Sequence, residues 1–426
     1  MSAVIRVPLS SVVLKTTGGG TPERDNPDLW NGGIPWASVK DFKDGIYRLT
    51  KTKEQISEKG LKRSASHLIP SGTPIICTRM AVGRIARANV PVAINQDLRA
   101  LYIREEFDTD YVVWALDAIR HRIENLSIGS TVKGISIEQL LSFEIESPSK
   151  PEQTKIAEIL STVDRAIEQT ETLIDKQQHL KTGLMQDLLT RGIDPHGNLR
   201  SEETHEFKDS PLGRIPVEWE VKPLSSVVDL QVGYAFKSSW FVEEGVKLLR
   251  GENVGTGKAD WKDTRCLSHE ASESHKDYAL APGDMIIGMD RTFTKQGFKV
   301  TLLTDDDVPC LLVQRVGRFV PMTVPKKFMQ LLIQSPAYQR ELLIQQKGMD
   351  IPHLSKSEIL TPSVPVPREQ TEMDAIASEV AKMNATLSST RHSLPKLRAL
   401  KTAMMQDLLT GRKRVTDLLD NTEVPA

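Results

Sequence analysis

The constraint that most limits what this 426-residue chain can fold into is that it is written twice. The segment from Leu180 to Thr190 (LKTGLMQDLLT) matches the segment from Leu400 to Thr410 (LKTAMMQDLLT) at nine of eleven positions, 220 residues apart. Upstream, Glu152-Gln153-Thr154 matches Glu369-Gln370-Thr371 at an offset of 217, and Pro8-Leu-Ser-Ser-Val-Val13 matches Pro223-Leu-Ser-Ser-Val-Val228 at an offset of 215. Ile69-Pro-Ser-Gly-Thr-Pro-Ile-Ile76 is similar to Leu280-Ala-Pro-Gly-Asp-Met-Ile-Ile287. Short apolar matches arise by chance, but several in one order at a nearly constant offset do not, so the chain is a tandem repeat.

Each half has two textures. The first mixes short strand-like runs, such as Thr73 to Thr78 and Met285 to Met289, with Gly, Pro and Asn. The second is a long helix. Apolar or small residues recur at Ile156, Leu160, Val163, Ile167, Thr170, Ile174, Leu180 and Leu184 in one copy. They recur at Met373, Ile376, Val380, Met383, Leu387, Leu394 and Leu397 in the other. Steps of three and four mark a heptad seam. Helices of roughly 37 residues, about 55 Å at 1.5 Å per residue, are too long to bury such a seam against a small domain. The economical partner for each is the other copy, paired antiparallel with the heads at opposite ends. Pro395 predicts a kink or a restart in the second helix. The second copy is three residues longer between its matching ends, an insertion expected to overwind the pairing locally.

Composition excludes more than it identifies. Cys77, Cys266 and Cys310 are odd in number and form no Cys-x-x-Cys pair, which supports neither a disulfide framework nor a zinc site. No run approaches the roughly 18 apolar residues of a membrane span, and the first residues lack a secretory pattern, so a cytoplasmic protein is expected. Gly251 to Gly257-Lys258 fails as a phosphate-binding loop, having five intervening residues and Ala259 after the lysine. No methyltransferase motif is present, and the nine histidines show no metal-ligand spacing. Pro27-Asp28 with Asp41-Phe42-Lys43 matches the loose pattern of magnesium-dependent nucleases, but the pattern is degenerate and the second half has no counterpart. A coiled-coil adaptor that binds only protein would explain the helices and leave the two heads unexplained. A net charge of −1 decides little, because phosphate affinity depends on local basic faces.

In this order of parts, with Pro211-Leu-Gly-Arg-Ile-Pro-Val-Glu-Trp219, Gly19-Gly-Thr-Pro22, Ile94-Asn-Gln-Asp-Leu98, Gly233-Tyr-Ala-Phe-Lys-Ser238 and Val313-Gln-Arg-Val316, the chain resembles the specificity subunits of type I restriction–modification systems over nearly its whole length. The resemblance implies an α+β protein with two mixed α/β target-recognition domains, separated by two long antiparallel coiled-coil helices in a pseudo-twofold repeat. The divisions expected are a first recognition domain over 1–148, helical spacer 149–192, connector 193–215, second recognition domain 216–364, helical spacer 365–412 and tail 413–426. It implies a chain without catalysis of its own, whose heads each read one half of a bipartite, asymmetric site in double-stranded DNA. It implies helices that set the gap and dock two methyltransferase subunits. S-adenosylmethionine would be held by those subunits, and ATP and magnesium by motor–nuclease subunits, with no cofactor in this chain and no membrane partner.

Reading bases in the major groove requires bidentate donors and acceptors, and phosphates are held by Lys, Arg and hydroxyls. Candidates in the first head are Lys40, Arg79, Arg84 and, in a glycine-flanked loop, Lys133. In the second they are Tyr234, Lys237, Arg250, Arg291, Lys295 and Arg315. Asn95 and Gln96 are expected to be structural. The heads differ from each other much more than the helices do, which fits two different half-sites beside identical docking surfaces. With modest basic loops, tight DNA binding is expected to need the partner subunits.

Overall fold

The long helices dominate the computed structural model, which describes residues 5–127, 134–295, 297–346 and 353–419. The first runs from Lys150 to Thr190 and the second from Gln370 to Leu409. The second continues unbroken through Pro395, so the expected restart is absent. The chain divides into two units, one of Met1–Thr172 with Thr390–Ala426, the other of Leu173–Ser389. Each unit therefore holds one head, the start of one long helix and the end of the other.

Within the first unit the two helix segments run antiparallel. Glu171 meets Arg398 at 2.5 Å, Asp164 pairs with Lys401, and Glu152 takes Arg414 just past the second helix. Ile156, Ala157 and Leu160 join Leu409 and Val415 in the core of the first head. Within the second unit, Met185, Leu188 and Leu189 pack with Met373, Ile376 and Val380. The apolar period thus appears as burial near the heads, although Leu180, expected in the seam, is 52% exposed.

The heads share a plan. In the first, a five-stranded sheet is ordered Val13–Gly18, Leu98–Ile103, Pro74–Cys77, Ile85–Ala88 and Arg48–Leu49. In the second, Val228–Val232, Val316–Pro321, Met285–Gly288 and Val300–Leu302 follow the same order. A second sheet in each head carries one parallel pair, Trp36–Ala37 on Ala93–Ile94 and Lys247–Leu249 on Cys310–Leu312. The central strands Pro74–Cys77 and Met285–Gly288 are buried at every residue, as continuous apolar runs require. Burial pushes the thiols of Cys77 and Cys310 up to about 12, which makes both inert packing groups.

The stretch expected as a connector is folded. Residues Phe207–Ser210 and Gly213–Pro216 form a hairpin, and Ile193 and Ile215 are buried in the second unit's core. Trp219, at the end of the Pro211-to-Trp219 signature, is fully buried, and its indole N–H donates to Glu372 in the first turn of the second long helix. Arg200 also binds Glu372, and the Ile193 amide donates to it at 3.1 Å. The signature is therefore an anchor for a helix start.

Candidate nucleic-acid interface

In both heads one corner is built by the same backbone bonds. In the first, the Thr78 amide donates to the Asp97 carbonyl (2.8 Å), the Ile135 amide donates to the Thr78 carbonyl (3.0 Å), and Arg79 bridges Gly134. In the second, the Met289 amide donates to the Arg315 carbonyl (3.0 Å), the Leu354 amide donates to the Met289 carbonyl (2.9 Å), and Asp290 bridges His353. Behind each corner a short helix starts in a capping box, Ser136 with Gln139 and Ser355 with Glu358. The backbone is thus duplicated, and position 79 answers to 290, 80 to 291 and 97 to 315.

The side chains of the corner are not duplicated. In the first head Arg79 is exposed, and among the described residues no ion pair engages it. Lys40 is also exposed, on a short turn closed by the Ser38–Asp41 capping box. It lines a cleft of about 440 Å³ with Met80, Arg84, Arg120, Asp44 and Glu124. In the second head Asp290 accepts from Arg315 (3.1 Å) and from the His353 ring (2.6 Å). Burial works against its charge, but these two bonds prevail and hold the Asp290 carboxyl below the usual carboxylate range. Arg291 and Lys295 are exposed beside it, unpaired among the described residues.

Two arginine candidates are engaged inside their heads. Arg84 donates to the Phe42 carbonyl (3.1 Å) and pairs with Asp44 (3.0 Å). Arg250 is largely buried and binds Glu252 together with the carbonyl and carboxylate of Asp263. Both sit in mixed-texture loops as expected, but their guanidinium groups stitch loops together. Tyr234 is half-buried in an aromatic cluster with Phe236, His275 and Tyr278, and Lys237 lies over the Trp240 ring at 5.6 Å. Lys133 falls outside the described residues.

Met80 is not among the candidates read from the sequence. It is 63% exposed on the corner with a left-handed backbone (φ 62°), and its counterpart Arg291 shares that conformation (φ 48°). Nothing in the residue type announces this; only the matched backbones show it. The motif residues, by contrast, are structural. Gly19 lies where a Cβ would sit 1.8 Å from the Ile94 carbonyl oxygen, and Gly233 where one would sit 2.3 Å from that of Val313. Thr21 donates to Gln96 (2.6 Å), and Asn95 binds both the Asp97 amide and carboxylate. The nuclease-like acids are also engaged: Asp28 pairs with Lys59, and Asp41 accepts from the Ser38 and Lys53 amides. Among the described residues no cluster of His, Cys, Asp and Glu could hold a metal ion, and no helix is long and apolar enough to cross a membrane.

Residues 7–176 match the model of the Type I restriction modification DNA specificity domain. Over 313 residues the chain is 30% identical to the MjaVIII specificity subunit of Methanocaldococcus jannaschii, covering 73% of this chain and 72% of the relative. The chain belongs to the type I restriction enzyme specificity subunits. A second specificity subunit of that organism, MjaIX, is 23% identical over 413 residues, covering 95% of this chain and 92% of its own. The fold is similar to that of the S subunit of the type I system of M. genitalium, with a TM-score of 0.60 at 17% identity and 96% of each chain covered. Specificity subunits are the non-catalytic components of these systems, responsible for DNA sequence recognition.

Proposed function

We propose that each head of this specificity subunit reads one half of a bipartite, asymmetric DNA site, that the long helices set the gap, and that they dock two methyltransferase subunits. The observation that carries this reading is the duplicated corner. Its backbone is the same in both heads, while its side chains are Arg79, Met80 and Asp97 in one and Asp290, Arg291 and Arg315 in the other. A framework held constant under changed tips is what two different half-sites ask of a duplicated protein. Docking of two identical partners is supported by Leu180 and Leu400. These are equivalent leucines of the repeated helix segment, 52% and 44% exposed.

Catalysis then resides in the partners: S-adenosylmethionine in the methyltransferase subunits, ATP and magnesium in the motor–nuclease subunits, all acting in the cytoplasm. The test is binding of the full chain with its methyltransferase partners to duplexes in which one half-site is scrambled or the gap is lengthened. Either change is expected to abolish tight binding, and inserting residues into both helices is expected to shift the permitted gap with both half-sites unchanged. Binding indifferent to scrambling contradicts the reading of sequence, and a gap that ignores the insertions contradicts the spacer role.

A further inference from the structure

Among the described residues, four that are not glycine have a left-handed backbone: Asn31, Met80, Arg291 and Arg315. Three of the four lie on the two corners just described. Left-handed φ is disfavoured for residues with a Cβ, and it persists where the surrounding structure over-determines it, often at functional positions. Here the supports are plain. The turn after the buried Pro74–Cys77 strand is closed by the Cys77 amide donating to Arg84 (2.8 Å) and the Gly83 amide donating to Cys77 (2.9 Å). In the second head the fully buried Thr292 donates to the Gly288 carbonyl at 2.8 Å and fixes the equivalent turn.

The outcome is a long side chain presented to solvent at the same backbone position of both heads. One is an apolar methionine and the other a cation. A methionine 63% exposed on a left-handed turn buries little apolar surface in the fold. Lys40, which lines the same cleft, is an exposed cation suited to a phosphate, so a duplex held there would bring its bases within reach of Met80. Apolar groups recognise the thymine methyl in the major groove, and arginine recognises the O6 and N7 of guanine.

We propose that Met80 and Arg291 are paired base-contacting tips. Met80 contacts the methyl group of a thymine in the half-site of the first head, and Arg291 donates to a guanine in that of the second. This rests on the reading of the heads as DNA-recognition domains. It assigns part of the difference in half-site preference to one structurally matched position.

The test uses the full chain with its methyltransferase partners and a set of duplexes carrying every single base-pair change in both half-sites. Met80→Ala is expected to relax preference at one A·T pair of the first half-site. Replacing that thymine by uracil is expected to weaken the parent protein and leave the variant unaffected. Met80→Gly, which suits the left-handed backbone, is expected to behave as Met80→Ala. Arg291→Met is expected to relax one G·C pair of the second half-site by about 5- to 150-fold. Variants that keep the parent's preferences at every position, or Met80 variants that alter a G·C pair alone, overturn the assignment. If scrambled half-sites are bound as well as intact ones by the parent, the recognition reading itself has failed. If scrambling abolishes binding while the variants match the parent, only the tips have.

Discussion

The junction between head and helices is built from the same apolar positions in both units but from different buried charges. In the first unit Lys401, near the end of the second helix, is buried against Asp164. Its ammonium lies 4.2 Å from the Tyr47 ring and 4.9 Å from that of Trp114. Tyr47 in turn donates to Asp117 (2.8 Å). In the helix register set by Glu152 and Glu369, the position of Asp164 is taken in the second unit by Ala381. That unit relies instead on Glu372, which gathers Arg200, Trp219 and the Ile193 amide. Apolar packing can be copied between repeats and still work with either partner. A buried charge cannot, because the wrong neighbour leaves it unpaired. The two charge clusters thus make each helix end specific to its own head.

The largest effect is expected from breaking the first cluster. Asp164→Ala leaves Lys401 buried without its carboxylate and should cost about 3–5 kcal/mol. The loss should be confined to the first unit in hydrogen exchange of the full chain. Pairing it with Lys401→Met should restore most of that, since an apolar replacement of both partners is nearly neutral. The mirror experiment, Glu372→Gln, weakens the charged bonds to Arg200 and Trp219 and should cost about 2–3 kcal/mol, localised to the second unit. Destabilisation spread equally over both units by either variant would erase the distinction.

Arg79→Ala should remove about 1–3 kcal/mol of discrimination at one position of one half-site. Arg84→Ala, whose guanidinium is held by Asp44 and Phe42, should leave the preference profile intact. The profile of base-pair preferences separates the two. Acid offers a smaller effect. Hydrogen bonds from the bidentate Arg414, then from Ser149, with the charge of Arg414 adding to them, hold the Glu152 carboxyl below the usual carboxylate range against the opposing effect of burial. The stabilisation from this pair is therefore complete above the unfolded value of about 4.3. It is lost as pH falls through the lower folded value. Exchange protection around Val415 should decline over that acid window and stay level in Glu152→Gln. Smallest is Arg398→Ala, which breaks an exposed pair with Glu171 and should change stability by about 0.2–1 kcal/mol.

Much of the architecture was legible because duplication and apolar period are written directly in residue order. The helix starts at Glu-Gln-Thr and the mixed heads needed no tertiary information. Pro395 misled because a proline removes one backbone donor locally, and the helix carries it at an exposed position without ending there. The internal partners of Arg84 and Arg250 were not legible, because a basic residue in a loop looks the same whether its partner is a phosphate or an aspartate elsewhere in the chain. The exposed, left-handed placement of Met80 was not legible, because left-handed backbone at a non-glycine residue leaves no compositional mark. The Pro211-to-Trp219 signature was recognised as a motif, but its cause, a tryptophan buried on Glu372, became visible only in three dimensions.

The central claim is that the two heads read separate halves of one site through the same corner. The most direct measurement is the complete base-pair preference profile of the subunit with its methyltransferase partners, for Arg79→Ala and for Arg291→Ala. The account predicts that each variant changes preference within one half-site only, and that the two affect opposite halves. Changes in both halves from a single variant, or changes in the same half from both, would contradict it.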